Sequence, residues 1–134
     1  MTVNHPAALL RRLNPFCAHA LEAAASLCQT RAHAEITIEH LLLKLLEQGE
    51  GDLTVISRRY EWDLDVAWQS LLAHLATLPR SVHTRPRLSE PLITLLTQAW
   101  LIASLDVDAT QIRSQHLLMA LTEKPALLAA NDLW

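Results

Sequence analysis

The sequence writes one unit twice. From Asn14-Pro15-Phe16 an alanine- and leucine-rich run leads to Cys28, then a polar turn, then Ile36-Thr37-Ile38-Glu39-His40-Leu41-Leu42. The order returns as Glu90-Pro91-Leu92, an apolar run to Ser104, a polar turn, and Ile112-Arg113-Ser114-Gln115-His116-Leu117-Leu118. Without a gap, one constant offset matches Pro15/Pro91, Ala23/Ala99, Ile36/Ile112, His40/His116, Leu41/Leu117, Leu42/Leu118 and Leu45/Leu121. Identity is low, but the matches fall at equivalent structural moments, which marks a duplicated helical unit. Two copies are too few for an open solenoid, so they are predicted to pack face to face in one domain.

Composition agrees with helices. Of 134 residues 51% are hydrophobic, leucine and alanine outnumber β-branched types, and the only two glycines are Gly49 and Gly51. An all-α chain is expected, of a length that suits one domain. A net charge of −3 argues against a nucleic-acid partner. No run approaches the roughly 20 apolar residues of a membrane span, and residues 1–6 lack the features of a signal peptide. Cys17 and Cys28 lie on one predicted helix, about 16 Å apart at about 1.5 Å per residue, too far for a disulfide. They read as reduced core residues of a cytoplasmic protein.

Pro6 opens a short helix reaching Leu13, with Leu9, Leu10 and Leu13 along one side; it precedes the first copy and has no counterpart before Pro91. Pro15 to Gln29 is predicted as the next helix, with His19, Glu22 and Ser26 on a polar strip and an apolar arc of roughly 200° around the rest, wider than one core contact needs. Thr37 caps a helix from Ile38 to Gln48 that Gly49 ends, and its leucines place it centrally. A short helix from Asp52 to Tyr60 and a longer one from Asp63 to Leu78 follow, the latter stopped by Pro79. Arg80 to Arg87 reads as a solvated linker. Glu90 to Ser104, Ser114 to about Glu123, and Pro125 to Ala130 complete the expected helices. The organisation is an extra helix at 1–14, a first repeat at 15–78, a linker at 79–88 and a second repeat at 89–134. A counterpart of Asp63 to Leu78 falls beyond Trp134, which reads as a piece of a longer protein.

Catalytic and metal chemistry find little support. Lys44 and Lys124 follow no glycine, so a phosphate-binding loop and ATP hydrolysis are not expected here. His40 and His116 recur but share no helix, and no His-Glu-x-x-His pair exists, so they read as structural residues at helix starts rather than metal ligands. Cys17 and His19 point about 200° apart on a helix and make a poor nucleophile and base. Trp62, Trp68 and Trp100 fall on apolar faces and read as core. What remains is surplus apolar surface. Leu9, Leu10 and Leu13 beside the alanine-rich face from Pro15 either close the core or leave a groove for a foreign helix.

These residues resemble the double-repeat N-terminal domain of Clp-type AAA+ unfoldases. The resemblance rests on Ala20-Leu21 through Ala24 and Leu27, on Ile36 to Leu43, and on the degenerate second copy from Ile112 to Leu121. Within that family the chain is most similar to the ClpV branch, the ATPases of bacterial type VI secretion. Leu13 to Phe16, Ala20 to Cys28, Thr37 to Leu46, Ala99 to Ser104 and the extra N-terminal helix carry this. The resemblance implies an all-α double Clp N-domain that binds a helix near the N-terminus of the large sheath subunit, so that contracted sheath is disassembled. It implies no enzyme activity in this segment, no cofactor (ATP and magnesium belonging to absent ATPase rings), a homohexameric parent and a monomeric isolated domain. An adaptor- or client-binding N-domain of a general Clp chaperone is the alternative, and a stand-alone helical enzyme a more distant one. On the groove reading, the peptide-binding residues are Leu9, Leu10, Leu13, Phe16, Ala20, Ala23, Ala24 and Leu27. If Ala20 belongs instead to the domain's own core, Ala20→Glu unfolds the protein rather than only abolishing binding.

Overall fold

The protein is described by a computed structural model over residues 6–48, 64–80, 86–105 and 110–127. Six helices occur among these: α1 (Pro6–Arg11), α2 (Pro15–Thr30), α3 (Ile38–Gln48), α4 (Leu64–Ala76), α5 (Glu90–Leu105) and α6 (Ser114–Glu123). Two-residue strands β1 (Glu35–Ile36) and β2 (Arg87–Leu88) and a 3-10 turn at Pro125–Leu127 join them. The expected helix at 52–60, the turn at 106–109, Trp62 and residues 128–130 lie outside the described residues.

Local chemistry fixes the helix starts. Asn14 is extended, and its Oδ1 accepts the Cys17 amide proton at 2.9 Å, with Pro15 supplying a first helical position that has no N–H to satisfy. Ser89 does the same for α5, its Oγ accepting from the Leu92 N–H at 3.3 Å. At α3 the Thr37 N–H donates to His40 Nδ1 at 3.0 Å while the His40 N–H donates to Thr37 Oγ1 at 3.3 Å. This is a capping box with histidine in the place of glutamate. The Arg113 N–H donates to His116 Nδ1 at 2.9 Å in the second copy. The recurrent histidine is a helix cap, which is why the sequence carries it twice.

The burial pattern corrects the gap-free alignment by one residue. α2 buries Cys17, Ala20, Leu21, Ala24 and Cys28, and α5 buries Leu92, Leu95, Leu96, Ala99 and Ala103. The spacing is the same in both, so Cys17 answers Leu92, Ala24 answers Ala99, and the cap Asn14 answers Ser89. Pro15 and Pro91 are therefore not equivalent: the first opens its helix, and the second follows Glu90. The earlier register returns at Ile36/Ile112 and at the two helix starts, Ile38 and Ser114. The second copy thus carries one extra residue in its inter-helix turn.

α2 packs on α3, α5 on α6, and α4 on α3. A single core draws on both copies, from Leu41 and Leu45 to Leu95, Leu117 and Leu121. The copies are also laced through their backbones. Ile36 pairs with Leu88, just ahead of the second unit, in a parallel strand pair. Its counterpart Ile112 pairs with Leu13, just ahead of the first. The Ile112 N–H donates to the Arg12 carbonyl at 2.6 Å and the Asn14 N–H to the Ile112 carbonyl at 2.9 Å. That pairing ends α1 at Arg11 rather than at Leu13, because the backbone of residues 12–14 is committed to the bridge. The Ile36–Leu88 pairing likewise takes Arg87 and Leu88 out of the solvated linker and makes them a strand.

Candidate functional site

α1 is too short to be stable alone, and the second copy holds it. It packs on α5, Leu9 enters the core at 2% exposure, and the Arg12 guanidinium lies 4.6 Å from the centre of the Trp100 ring. α1 therefore faces α2 across a gap. A groove of about 420 Å³ opens there. Leu10 and Leu13 line it from the α1 side, and Ala18, Leu21, Glu22 and Ala25 from α2. Ile36 of β1 and Pro86, Arg87 and Leu88 around β2 complete it.

The α2 contribution recurs at i, i+3, i+4 and i+7, one helical face. It lies next to the core face of Cys17, Ala20, Leu21, Ala24 and Cys28, and Leu21 serves both. The wide apolar arc thus resolves into adjacent surfaces with different duties. Of the residues expected from sequence to bind a partner, Leu10 and Leu13 line the groove. Leu9, Ala20 and Ala24 are buried in the core at 0–2% exposure and offer nothing to a ligand. Phe16 and Leu27 pack half-buried against the core, and Ala23 is half-buried outside the groove lining. Ala18, Leu21, Glu22, Ala25, Ile36, Pro86, Arg87 and Leu88 were missed. Glu22 disguised its face as part of a polar strip, and the linker reading hid Pro86 to Leu88.

The remaining reactive groups are structural. Cys17 is buried while His19 is exposed, so they make no dyad. Cys28 Sγ donates towards the carbonyls of His33 and Glu35, each at 3.2 Å, and burial, with the Glu35 charge, pushes its thiol up. His40 Nδ1 accepts from Thr37, which leaves its proton on Nε2; that proton points to His33 Nδ1 at 2.9 Å. Burial, reinforced by His33, Arg31 and His74, lowers His40 to about pKa 4; burial, with Arg31 and Arg80, also lowers His33. His33 is placed by the end of α2, where Ala32 takes a left-handed φ of 57° and the His33 N–H closes on the Cys28 carbonyl at 2.9 Å. Among the described residues no three His, Cys, Asp or Glu side chains gather as a metal site, and no helix is long and apolar enough to cross a membrane.

Residues 12–132 match the model of the Clp repeat (R) N-terminal domain family. The N-terminal domain (1–163) of the ClpV1 ATPase from the E. coli EAEC Sci1 T6SS is 66% identical, with a TM-score of 0.90 over 96% of this chain and 78% of that one. A ClpV N-domain solved in complex with a VipB peptide is 30% identical, with a TM-score of 0.81 over 93% of this chain and 76% of that one. The ClpB chaperone of Yersinia enterocolitica is 33% identical over 101 residues, 75% of this chain, and this chain spans 11% of its length.

Proposed function

The chain belongs to the Clp repeat N-terminal domain family, as a ClpV-type member, and from that premise we propose that it is the substrate-recognition domain of a type VI secretion AAA+ protein. Its groove takes an amphipathic helix near the N-terminus of the large sheath subunit and delivers contracted sheath for disassembly. One observation carries the reading: an open, mainly apolar groove between α1 and the small-residue face of α2, with room for the apolar side of one helix and no catalytic group. A related ClpV N-domain was solved with a bound VipB peptide, which supports a peptide as the occupant. In this reading ATP and magnesium act in ATPase rings outside this segment, the parent is a cytoplasmic homohexamer, and the domain alone is a monomeric binding module.

Anisotropy titration with a labelled peptide from the N-terminus of a large sheath subunit tests this. A low-micromolar constant is expected, about −8 kcal/mol, since a peptide that folds on binding loses ordering entropy. Ala18→Glu, on the groove wall, is expected to abolish saturation while the melting curve stays in place. Equal binding of wild type and variant refutes the groove. Tighter capture of an unfolded client such as casein than of the sheath peptide favours the general chaperone reading.

A further inference from the structure

The second copy carries an arginine–indole contact at positions that answer to residues lining the groove of the first. By the register of the buried faces, Ala18 answers Ile93, Ala25 answers Trp100, and Leu88 answers Leu13. By the same step Arg87 answers Arg12. On the second copy, therefore, an arginine just ahead of the paired residue lies over an indole on the first helix of the unit, 4.6 Å from guanidinium to ring centre. On the first copy the arginine is present and the ring is missing. Arg87 and Ala25 both line the groove, the Arg87 side chain 81% exposed and its Glu35 contact stretched to 4.0 Å. A methyl group stands where the indole would be.

We infer that the bound helix carries an aromatic side chain that seats against Ala25 and stacks under Arg87, supplying from the partner the ring that Trp100 supplies internally. The inference rests on the groove reading above and adds the partner's chemistry: an aromatic anchor within an apolar helical stripe, with Arg87 as the residue that selects it. The physical basis is twofold. A ring fills the volume that two alanines leave on the wall. Arg87, being weakly paired, gains a cation–π contact over the ring face.

Two synthetic peptides test this on the 134-residue protein. Both are amphipathic helices of about four turns with the same leucine stripe, and they differ only in carrying Trp or Leu at the central stripe position. The wild-type domain is expected to prefer the Trp peptide, and Arg87→Ala to weaken it by about two- to fivefold while the Leu peptide is unchanged. Ala25→Trp should copy the second repeat: the new ring fills the groove, both peptides are excluded, and the melting temperature rises. If Arg87→Ala weakens both peptides equally, or neither, the aromatic anchor is wrong while the groove stands. If both peptides bind Ala25→Trp as they bind wild type, they do not lie in the groove, and both readings fall. Arg87 is exposed, so its variant tests binding rather than folding, and circular dichroism verifies that.

Discussion

The two copies bury the same positions with different side chains. The inner face of α2 is thin, built from Cys17, Ala20, Ala24 and Cys28 around one Leu21, whereas α5 presents Leu92, Leu95 and Leu96 before tapering to Ala99 and Ala103. The helix packed on α2 compensates, since α3 buries Leu41, Leu42, Leu43 and Leu45. Duplication has preserved which positions turn inward, and the core has been repartitioned between partners. Outside the core the copies part company: only the first has alanines on its outer face and a strand-side arginine over open space.

The comparison is broken most severely where the copies agree. Ala20→Glu and its counterpart Leu95→Glu each place a carboxylate inside the apolar core, at positions only 0–1% exposed. Each is expected to cost at least about 4 kcal/mol, against a total stability of about 5–15 kcal/mol for a domain of this kind. Loss of the helical signal and of cooperative melting is the readout. A folded Ala20→Glu would mean that α2 has been assigned the wrong inner face.

Acid sharpens the contrast between the copies, because the buried His33–His40 pair belongs to the first. His40 titrates near 6.5 in the unfolded chain and near 4 in the fold. Between those values the unfolded state binds more protons, so stability is full above pH 6.5 and declines as pH falls towards 4. The loss from this group is about 2–3 kcal/mol after residual solvent screening. Urea unfolding across that range measures it. His40→Gln keeps an acceptor for the Thr37 N–H but cannot titrate, so its acid decline should be shallower. An identical decline in the variant would assign the sensitivity to another group.

On the outer faces two glutamate substitutions, one on each copy, discriminate. Ala25→Glu sets a charge against the groove and is expected to weaken sheath-peptide binding by about 2 kcal/mol, close to thirtyfold, without moving the melt. Leu101→Glu, on an exposed position of α5, should leave affinity within about twofold. Comparable losses at both sites would show that the peptide spans the two copies. The smallest effect belongs to the link between them: Arg12→Ala removes the contact to Trp100 and should lower stability by about 0.5–1 kcal/mol, read as a slight fall in denaturation midpoint.

Much of this was legible in the residues. Helical periodicity and caps located α2, α3, α5 and α6 to within a residue or two, because signals such as Pro15 and Thr37 are strong and local and tertiary packing did not override them. Leu10 and Leu13 were also visible as groove residues. The inner and outer faces of α2 were not separable, since alanine fits either, and a 100° ambiguity in an alanine-rich helix shifts every assignment. Arg87 and Leu88 read as linker because two-residue strands have no period. Their pairing with Glu35 and Ile36 is a long-range fact that no local window contains. The one-residue step between the copies was hidden by chance identities at Pro15/Pro91 and Ala23/Ala99.

The crossed backbone pairing also bears on synthesis. Glu35 and Ile36 leave the ribosome early but meet their partners only when Arg87 and Leu88 have been made, and Leu13 waits longer still for Ile112. At about 5–20 residues per second, the first unit spends seconds with an unpaired strand and an uncovered leucine face. Each copy relies on the other for part of its backbone pairing and of its core. Contacts that distant in sequence slow the search for the native state, and they make the last part of the second unit a closing clasp for the first.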